Sequence, residues 1–259
     1  MKRNKITACL LVVMMVVLTL AGCGGAANDD NAGNDAKKYV IGTDTTFAPF
    51  EFEDENGNFV GIDMDLLKAI AEDQGFEYEL QVLGFNAAVQ ALEAGQVDGV
   101  IAGMSITDER KQKFDFSDAY FDSGVVMGIA ATDDTTKSYD DLKGKKVAVK
   151  IGTEGATFAE SIKDQYGFET VSFEDSSFMY EDVKAGNSIA CFEDYPVLGY
   201  GVAQGNGLKI VTEKEQGSSY GFAVQKDKNA ELIEMFNAGL KNLRDSGKYQ
   251  EVLDTYIQE

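Results

Sequence analysis

Along residues 38–102 the chain alternates short apolar runs with stretches in which apolar residues recur every three or four positions. Residues 39–43 predict a strand, and residues 63–74 predict a helix with Met64, Leu67, Ile70 and Ala71 on one face. Residues 78–83 alternate as a strand does. Residues 85–93 predict a helix with Val89 and Leu92 inward, and residues 97–102 another strand. This rhythm predicts a mainly parallel sheet flanked by helices.

The rhythm then returns. Strands at 146–150, 169–173 and 189–192 alternate with helices at 156–165 and 177–184. Residues 41–47 (IGTDTTF) resemble residues 151–158 (IGTEGATF), and residues 93–98 (EAGQVD) resemble residues 184–189 (KAGNSI). Matching element order and matching segments imply two similar α/β lobes. Residues 118–128 and 215–224 fall outside the pattern and are expected to cross between the lobes. Amphipathic helices at 230–245 and 249–256 follow and return to the first lobe. The expected organisation is lobe one from 38–120 with 219–259, lobe two from 125–214, and hinge segments at 121–124 and 215–218. Two crossovers permit opening and closing. Ligands of open α/β sheets sit beyond the carboxyl ends of the strands, so the expected site is the cleft between the lobes.

The start of the chain has a different character. Lys2, Arg3 and Lys5 precede an apolar run at 6–20, and the segment ends Leu20-Ala21-Gly22-Cys23. The run is shorter than the ~20 residues of a membrane span and matches a secretory signal over residues 1–22. The terminal L-A-G-C resembles the lipobox of bacterial lipoproteins. That resemblance implies acylation of Cys23 (palmitate), which becomes the first mature residue and anchors the chain to the outer face of the cytoplasmic membrane, as in a Gram-positive cell. Residues 23–37, rich in Gly, Ala, Asn and Asp, read as a flexible tether. Cys9 is lost with the signal, so Cys191 alone remains in the folded part. It lies in an apolar run and is expected to pack as a small hydrophobe.

Composition narrows the chemistry. There is no histidine, which removes His-dependent triads and His-ligated zinc. No metal and no cofactor are expected. The 44 acidic residues outnumber 23 basic ones for a net charge of −21, which argues against nucleic-acid binding.

Several residues are placed for ligand binding. In Ala102-Gly103-Met104-Ser105-Ile106-Thr107-Asp108-Glu109-Arg110 a strand ends at Gly103 and a helix is expected near Thr107 or Asp108. Free backbone N–H groups, the Ser105 hydroxyl and the forked Arg110 guanidinium suit a carboxylate; simple helix capping is the structural alternative. Asp44 and Asp194 each follow an apolar strand, where a carboxylate can receive an ammonium group or merely be solvated. Phe47 and Phe85 follow strands and suit an aromatic clamp, whereas Phe50 and Phe52 read as core. Gly152-Thr153-Glu154-Gly155 opens a helix but lacks the Lys-Ser/Thr ending of a phosphate loop, leaving Thr153 as a helix-start donor with Lys150 beside it.

Taken together, TDTTFAPFEF, GIDMDL, AGMSITDER, FDFSDAY, VAVKIGTEG and NLRDSGKY resemble the bacterial family of extracellular polar-amino-acid binding proteins that serve ABC importers, with the closest likeness to glutamine-binding members. The resemblance implies a two-lobe periplasmic-binding-protein-like fold and no catalysis. It implies that Arg110, Ser105 and N–H groups near Gly103 and Thr153 hold the ligand α-carboxylate. Asp194 and the backbone of Ala102 and Gly103 hold the ammonium, Phe47 and Phe85 sandwich the stem, and Asp44, Lys150, Glu154 and Glu193 meet the side chain. The implied partners are a polar amino acid, a membrane permease and, through the anchor, the membrane; the chain is expected to be a monomer. Glutamine-binding members carry a histidine where Glu193 stands, and Glu154 occupies a position that is often small. These acids leave a basic amino acid as the alternative ligand. A cyclohexadienyl-dehydratase-like enzyme with Glu154 or Glu193 as acid, and a sensory module, are further alternatives on the same fold.

Overall fold

A computed structural model describes residues 37–257, so the expected signal segment, the lipidated Cys23 and nearly all of the tether lie outside the described residues. In chain order the elements are β1 (Lys38–Thr43), β2 (Thr46–Phe47), β3 (Glu51–Glu53), β4 (Phe59–Val60), α1 (Ile62–Gln74), β5 (Glu77–Val82), α2 (Phe85–Glu93), β6 (Gly99–Val100), β7 (Phe114–Phe116) and β8 (Phe121–Ala130). They continue as β9 (Lys146–Lys150), α3 (Glu154–Tyr166), β10 (Glu169–Phe173), α4 (Ser176–Lys184), β11 (Ala190–Asp194), α5 (Tyr195–Ala203), β12 (Leu208–Ile210), β13 (Glu215–Tyr220), β14 (Ala223–Gln225), α6 (Ala230–Ser246) and α7 (Lys248–Tyr256).

These form the two-lobe α/β architecture. The first sheet runs β5-β1-β6-β14-β7, and the second runs β10-β9-β11-β8-β12 with β13 added on β8. Each is mixed. The three strands of each β-α-β-α-β unit pair in parallel, and strands from the crossing segments add antiparallel to them. The two crossing strands also pair with each other, Tyr220 opposite Phe121 and Ser218 opposite Ser123. The central strands are apolar on both faces because helices cover both. Tyr39 and Ile41 of β1 pack with α1 and α6 on one side of the first sheet, while Phe85, Ala88 and Leu92 of α2 cover the other. In the second sheet Phe158 and Ala159 of α3 cover one face, and Met179, Val183 and Leu198 of α4 and α5 the other. Cys191 is buried there as a free thiol, and burial pushes its pKa up.

Expected and observed elements differ mainly at their ends. The strand expected over 97–102 shortens to β6, because Ile101 bonds to Gly42 outside regular pairing and the chain then turns. The helix expected near Thr107 is a single tight turn over Arg110–Gln112, opened by a bond from the Arg110 N–H to Thr107 Oγ1. The small β2-β3-β4 sheet falls outside the expected elements, because its strands are too short for a periodic signal.

That small sheet sets the start of α1. No side chain caps this helix; instead the Pro49 and Phe50 carbonyls of the hairpin accept the Ile62 and Asp63 N–H groups. The approach is close enough that a Cβ on Gly61, whose φ is +140°, would lie 2.0 Å from the Phe50 carbonyl oxygen. Gly61→Ala is therefore expected to destabilise the fold by about 2–4 kcal/mol through strain and the displaced hairpin. A melting temperature equal to that of the parent protein would show that the hairpin is not fixed to the helix.

Candidate functional site

The ends of β1, β9 and β11 and the turn after β6 converge between the two sheets. Lys150, last in β9, is almost fully buried and pairs with the equally buried Asp44 at the end of β1. This ion pair joins one lobe to the other. The Lys150 ammonium also lies 3.4 Å from Thr46 Oγ1 and 5.1 Å from the centre of the Phe47 ring. Two buried charges this close offset much of each other's desolvation cost.

Arg110 makes a second link. Its Nη1 donates to the Ser105 carbonyl at 2.8 Å within its own lobe. Its Nη2 donates to the Gly152 carbonyl of the other lobe at 2.9 Å and lies 3.6 Å from Glu154 Oε1. The guanidinium carbon stands 5.4 Å from the centre of the Phe85 ring. Burial lowers the Arg110 pKa, and Glu154 and Asp194 oppose that shift. Phe47 and Phe85 thus each carry a cation over one face, a favourable placement for a ring quadrupole. A third link runs from the Ser176 N–H to Thr46 Oγ1 at 3.4 Å.

Asp194 ends β11 and is buried. Its Oδ2 accepts the Tyr220 hydroxyl at 2.6 Å, whereas its Oδ1 has no partner among the described residues. Burial first, and then the neighbouring Glu193, raise its pKa to about 7, opposed by Tyr220 and Arg110. An unpartnered carboxylate oxygen in a dry site suits a cation.

The structure brings all twelve expected ligand-binding residues to this region, with differences in what they face. Glu193 is fully engaged inside its own lobe. Its Oε1 accepts the Asp194 N–H at 2.9 Å, and its Oε2 accepts Ser176 Oγ at 2.9 Å and the Tyr180 hydroxyl at 3.0 Å. Thr153 caps α3, accepting the Ala156 N–H at 3.3 Å and donating to the Lys150 carbonyl at 2.8 Å. The Gly103 N–H, expected among the carboxylate donors, instead donates to Asp63 Oδ2 at 2.8 Å. Gly103 has a φ of +52°, and a Cβ there would lie 2.3 Å from the Phe47 ring. Ala102 is buried beside it, and Ser105 Oγ lies 3.4 Å from Ser218 Oγ. Phe50 is core, as expected, but the Phe52 ring lies 6.3 Å from that of Tyr200 and lines a cavity of about 490 Å³. Thr46 and Tyr180 line the same cavity, which also touches both lobes. Sequence reasoning missed Tyr220, Thr46, Ser176, Glu51 and Asp63. Thr46, Glu51, Asp63 and Tyr220 stood in segments already singled out, but nothing in their neighbours pointed to their partners.

Among the described residues no group of three or more His, Cys, Asp or Glu side chains is arranged to hold a metal ion, and no helix is long and apolar enough to cross a membrane.

The profile of the bacterial extracellular solute-binding proteins, family 3, matches residues 39–259. The arginine-binding extracellular protein ArtP of Bacillus subtilis is 32% identical over 244 residues, covering 94% of each chain. An ancestral arginine-binding protein, solved bound to glutamine, is 39% identical with a TM-score of 0.79, over 86% of this chain and 98% of that one. The second substrate-binding domain of GlnP from Lactococcus lactis, solved in an open conformation, is 42% identical with a TM-score of 0.59, over 85% and 95%.

The Asp194 shift fixes a dependence on pH. A carboxylate with a raised folded pKa binds more protons folded than unfolded, so stability falls as pH rises from its usual value of 3.8 to about 7. Asp194→Asn removes that loss. At pH 8 the variant is expected to be more stable than the parent protein by about 4 kcal/mol, with the two converging near pH 4. Parallel unfolding curves across that range would show that Asp194 titrates normally.

Proposed function

The chain belongs to the bacterial extracellular solute-binding proteins, family 3, the substrate-binding proteins of amino acid ABC transporters, and we propose that its own ligand is L-glutamine, held in the cleft between the lobes. The buried Asp44–Lys150 pair carries this reading. Arg110 and Asp194 supply one charge of each sign for the ligand's carboxylate and ammonium. Beyond them the side chain meets a cation and an anion that already cancel. Such a pair offers one donor and one acceptor without net charge, which is what a carboxamide needs. A cationic side chain would approach Lys150, and an anionic one Asp44, each against like charge. Phe47 and Phe85 enclose the aliphatic stem.

The residue roles implied by the resemblance are part of this proposal, with one change: Glu193 braces Asp194 from within its lobe. The proposed hinge is the paired stretch at 121–124 and 215–218. The looser fit to the open GlnP domain than to the glutamine-bound ancestral protein, despite slightly higher identity, supports reading the present lobes as closed. Closing excludes water and strengthens each charge pair. The closed form is proposed to dock on a permease, with Cys23 lipidated as the membrane anchor and the chain acting as a monomer.

One observation favours a second reading. Glu154 adds a third acid to Asp44 and Asp194 against the two cations Arg110 and Lys150, and burial raises the pKa of Glu193 behind Asp194, a shift that a positive ligand side chain would relieve. That suits arginine or lysine, and ArtP binds arginine by its name.

Calorimetry with the twenty amino acids separates these. The expected result is the tightest binding for L-glutamine. Tighter binding of arginine would establish the second reading, and no heat from any amino acid would end both. Arg110→Ala is expected to weaken binding by about 2–3 kcal/mol, because a carboxylate then enters a dry site without its partner. Cys23→Ser is expected to move the protein from the membrane fraction to the medium, and unchanged membrane retention would exclude the anchor.

A further inference from the structure

Behind the ligand-facing residues lies a second pair of acids. Glu51 of β3 and Asp63 of α1 are both completely buried. Asp63 Oδ2 accepts two bonds, from the Gly103 N–H at 2.8 Å and from the Tyr120 hydroxyl at 2.9 Å. Asp63 Oδ1 and both Glu51 oxygens have no donor among the described residues, and the Asp63 N–H donates to the Phe50 carbonyl at 2.9 Å, which sets Glu51, the next residue, beside Asp63. Two carboxylates in a dry contact cannot both be ionised. The charge belongs on Asp63, which sits in the first turn of α1 and has two donors. The proton belongs on Glu51, where it satisfies Asp63 Oδ1.

We propose that Glu51 and Asp63 form a buried acid pair sharing one proton, whose negative member holds the Gly103 peptide in place and so positions the ammonium-binding side of the cleft. Glu51 also pairs along the hairpin with Phe47, and Tyr120 immediately precedes the crossing strand β8. The proton-sharing pair therefore ties together the Phe47 hairpin, the Gly103 turn and the start of the proposed hinge. Its other charged neighbours are Asp44, which favours the proton on Glu51, and Lys150, which opposes it. Burial raises the Glu51 pKa well above its usual value and that of Asp63 to about 6.

The binding consequence rests on the amino-acid-binding reading above, but the shared proton does not, so the test has two arms. In the first, without ligand, the full-length protein is compared with Glu51→Gln, which keeps a donor but has no proton to lose. The unfolded Glu51 ionises near 4.5, and the folded one only well above that. The melting temperature of the parent is therefore expected to fall relative to the variant by about 3–5 °C per pH unit between pH 5 and pH 7. The infrared difference spectrum of the two proteins at pH 7.5 is expected to show one protonated carboxyl in the parent. A constant temperature difference, or no carboxyl band, overturns the shared proton.

The second arm measures L-glutamine and L-arginine affinity. Asp63→Asn, which loses the anionic acceptor, is expected to weaken whichever of the two binds at least tenfold and to raise hydrogen exchange at the Gly103 amide. Unchanged affinity and unchanged exchange overturn the positioning role. If Asp63→Asn does not fold, Gly103 exchange in the parent between pH 7 and pH 9 replaces it. Exchange rising above the intrinsic pH dependence, and above that of Glu51→Gln, supports the role, and identical profiles overturn it. Loss of affinity for both amino acids in the parent itself counts against the amino-acid reading alone and leaves the first arm intact.

Discussion

Charge leaves water only when countercharge is waiting, and the meeting of the two lobes is organised around that constraint. The ion pairs and hydrogen bonds that span the cleft are Lys150 with Asp44, Arg110 with the Gly152 carbonyl and Glu154, and Ser176 with Thr46, and they stand beside apolar contacts of Phe52 with Tyr200 and of Val197 with the first lobe's core. An apolar contact of the same area would hold the lobes shut regardless of what lay between them. A charged one is favourable only when every group is matched, so a ligand that supplies missing charges can decide whether the lobes close. Asp194, with one oxygen unpartnered and a pKa near 7, is the group that most requires completion.

The surrounding fold serves to hold these charges still. Strands apolar on both faces bring their last residues to one line, which is why Asp44, Lys150 and Asp194 all stand at strand ends. Phe47 and Phe85 supply apolar walls, and the cations above their rings keep those walls close to the polar groups. Behind them, Asp63 and Glu51 hold Gly103 from within the core. The site is thus built in two layers, with the outer layer facing the cleft and the inner one fixing its backbone.

Much of this was legible in the sequence, and the limits have physical causes. The β-α-β-α-β rhythm is a period signal carried by many residues, so strands such as β1 and helices such as α1 were recovered almost to their ends. The β2-β3-β4 hairpin was not, since strands of two or three residues have no period. Asp44, Arg110, Lys150 and Asp194 were legible as chemically suited residues at strand and helix ends, although which of them pair with one another was not. Glu193 shows why: one residue from Asp194 along the strand, it faces the opposite side and meets Ser176 and Tyr180 instead. Tyr220, Glu51 and Asp63 were missed because their partners lie far along the chain. A buried acid in the sequence GIDMDL looks the same as a solvated one until the fold places Gly103 and Tyr120 against it.

The central claim is that matched charge, completed by the ligand, draws the lobes together. Small-angle X-ray scattering tests it most directly, on the protein with and without a saturating amount of the amino acid that binds. The expected result is a smaller radius of gyration with ligand, and no such contraction in Asp194→Asn. Binding with an unchanged radius of gyration would contradict it.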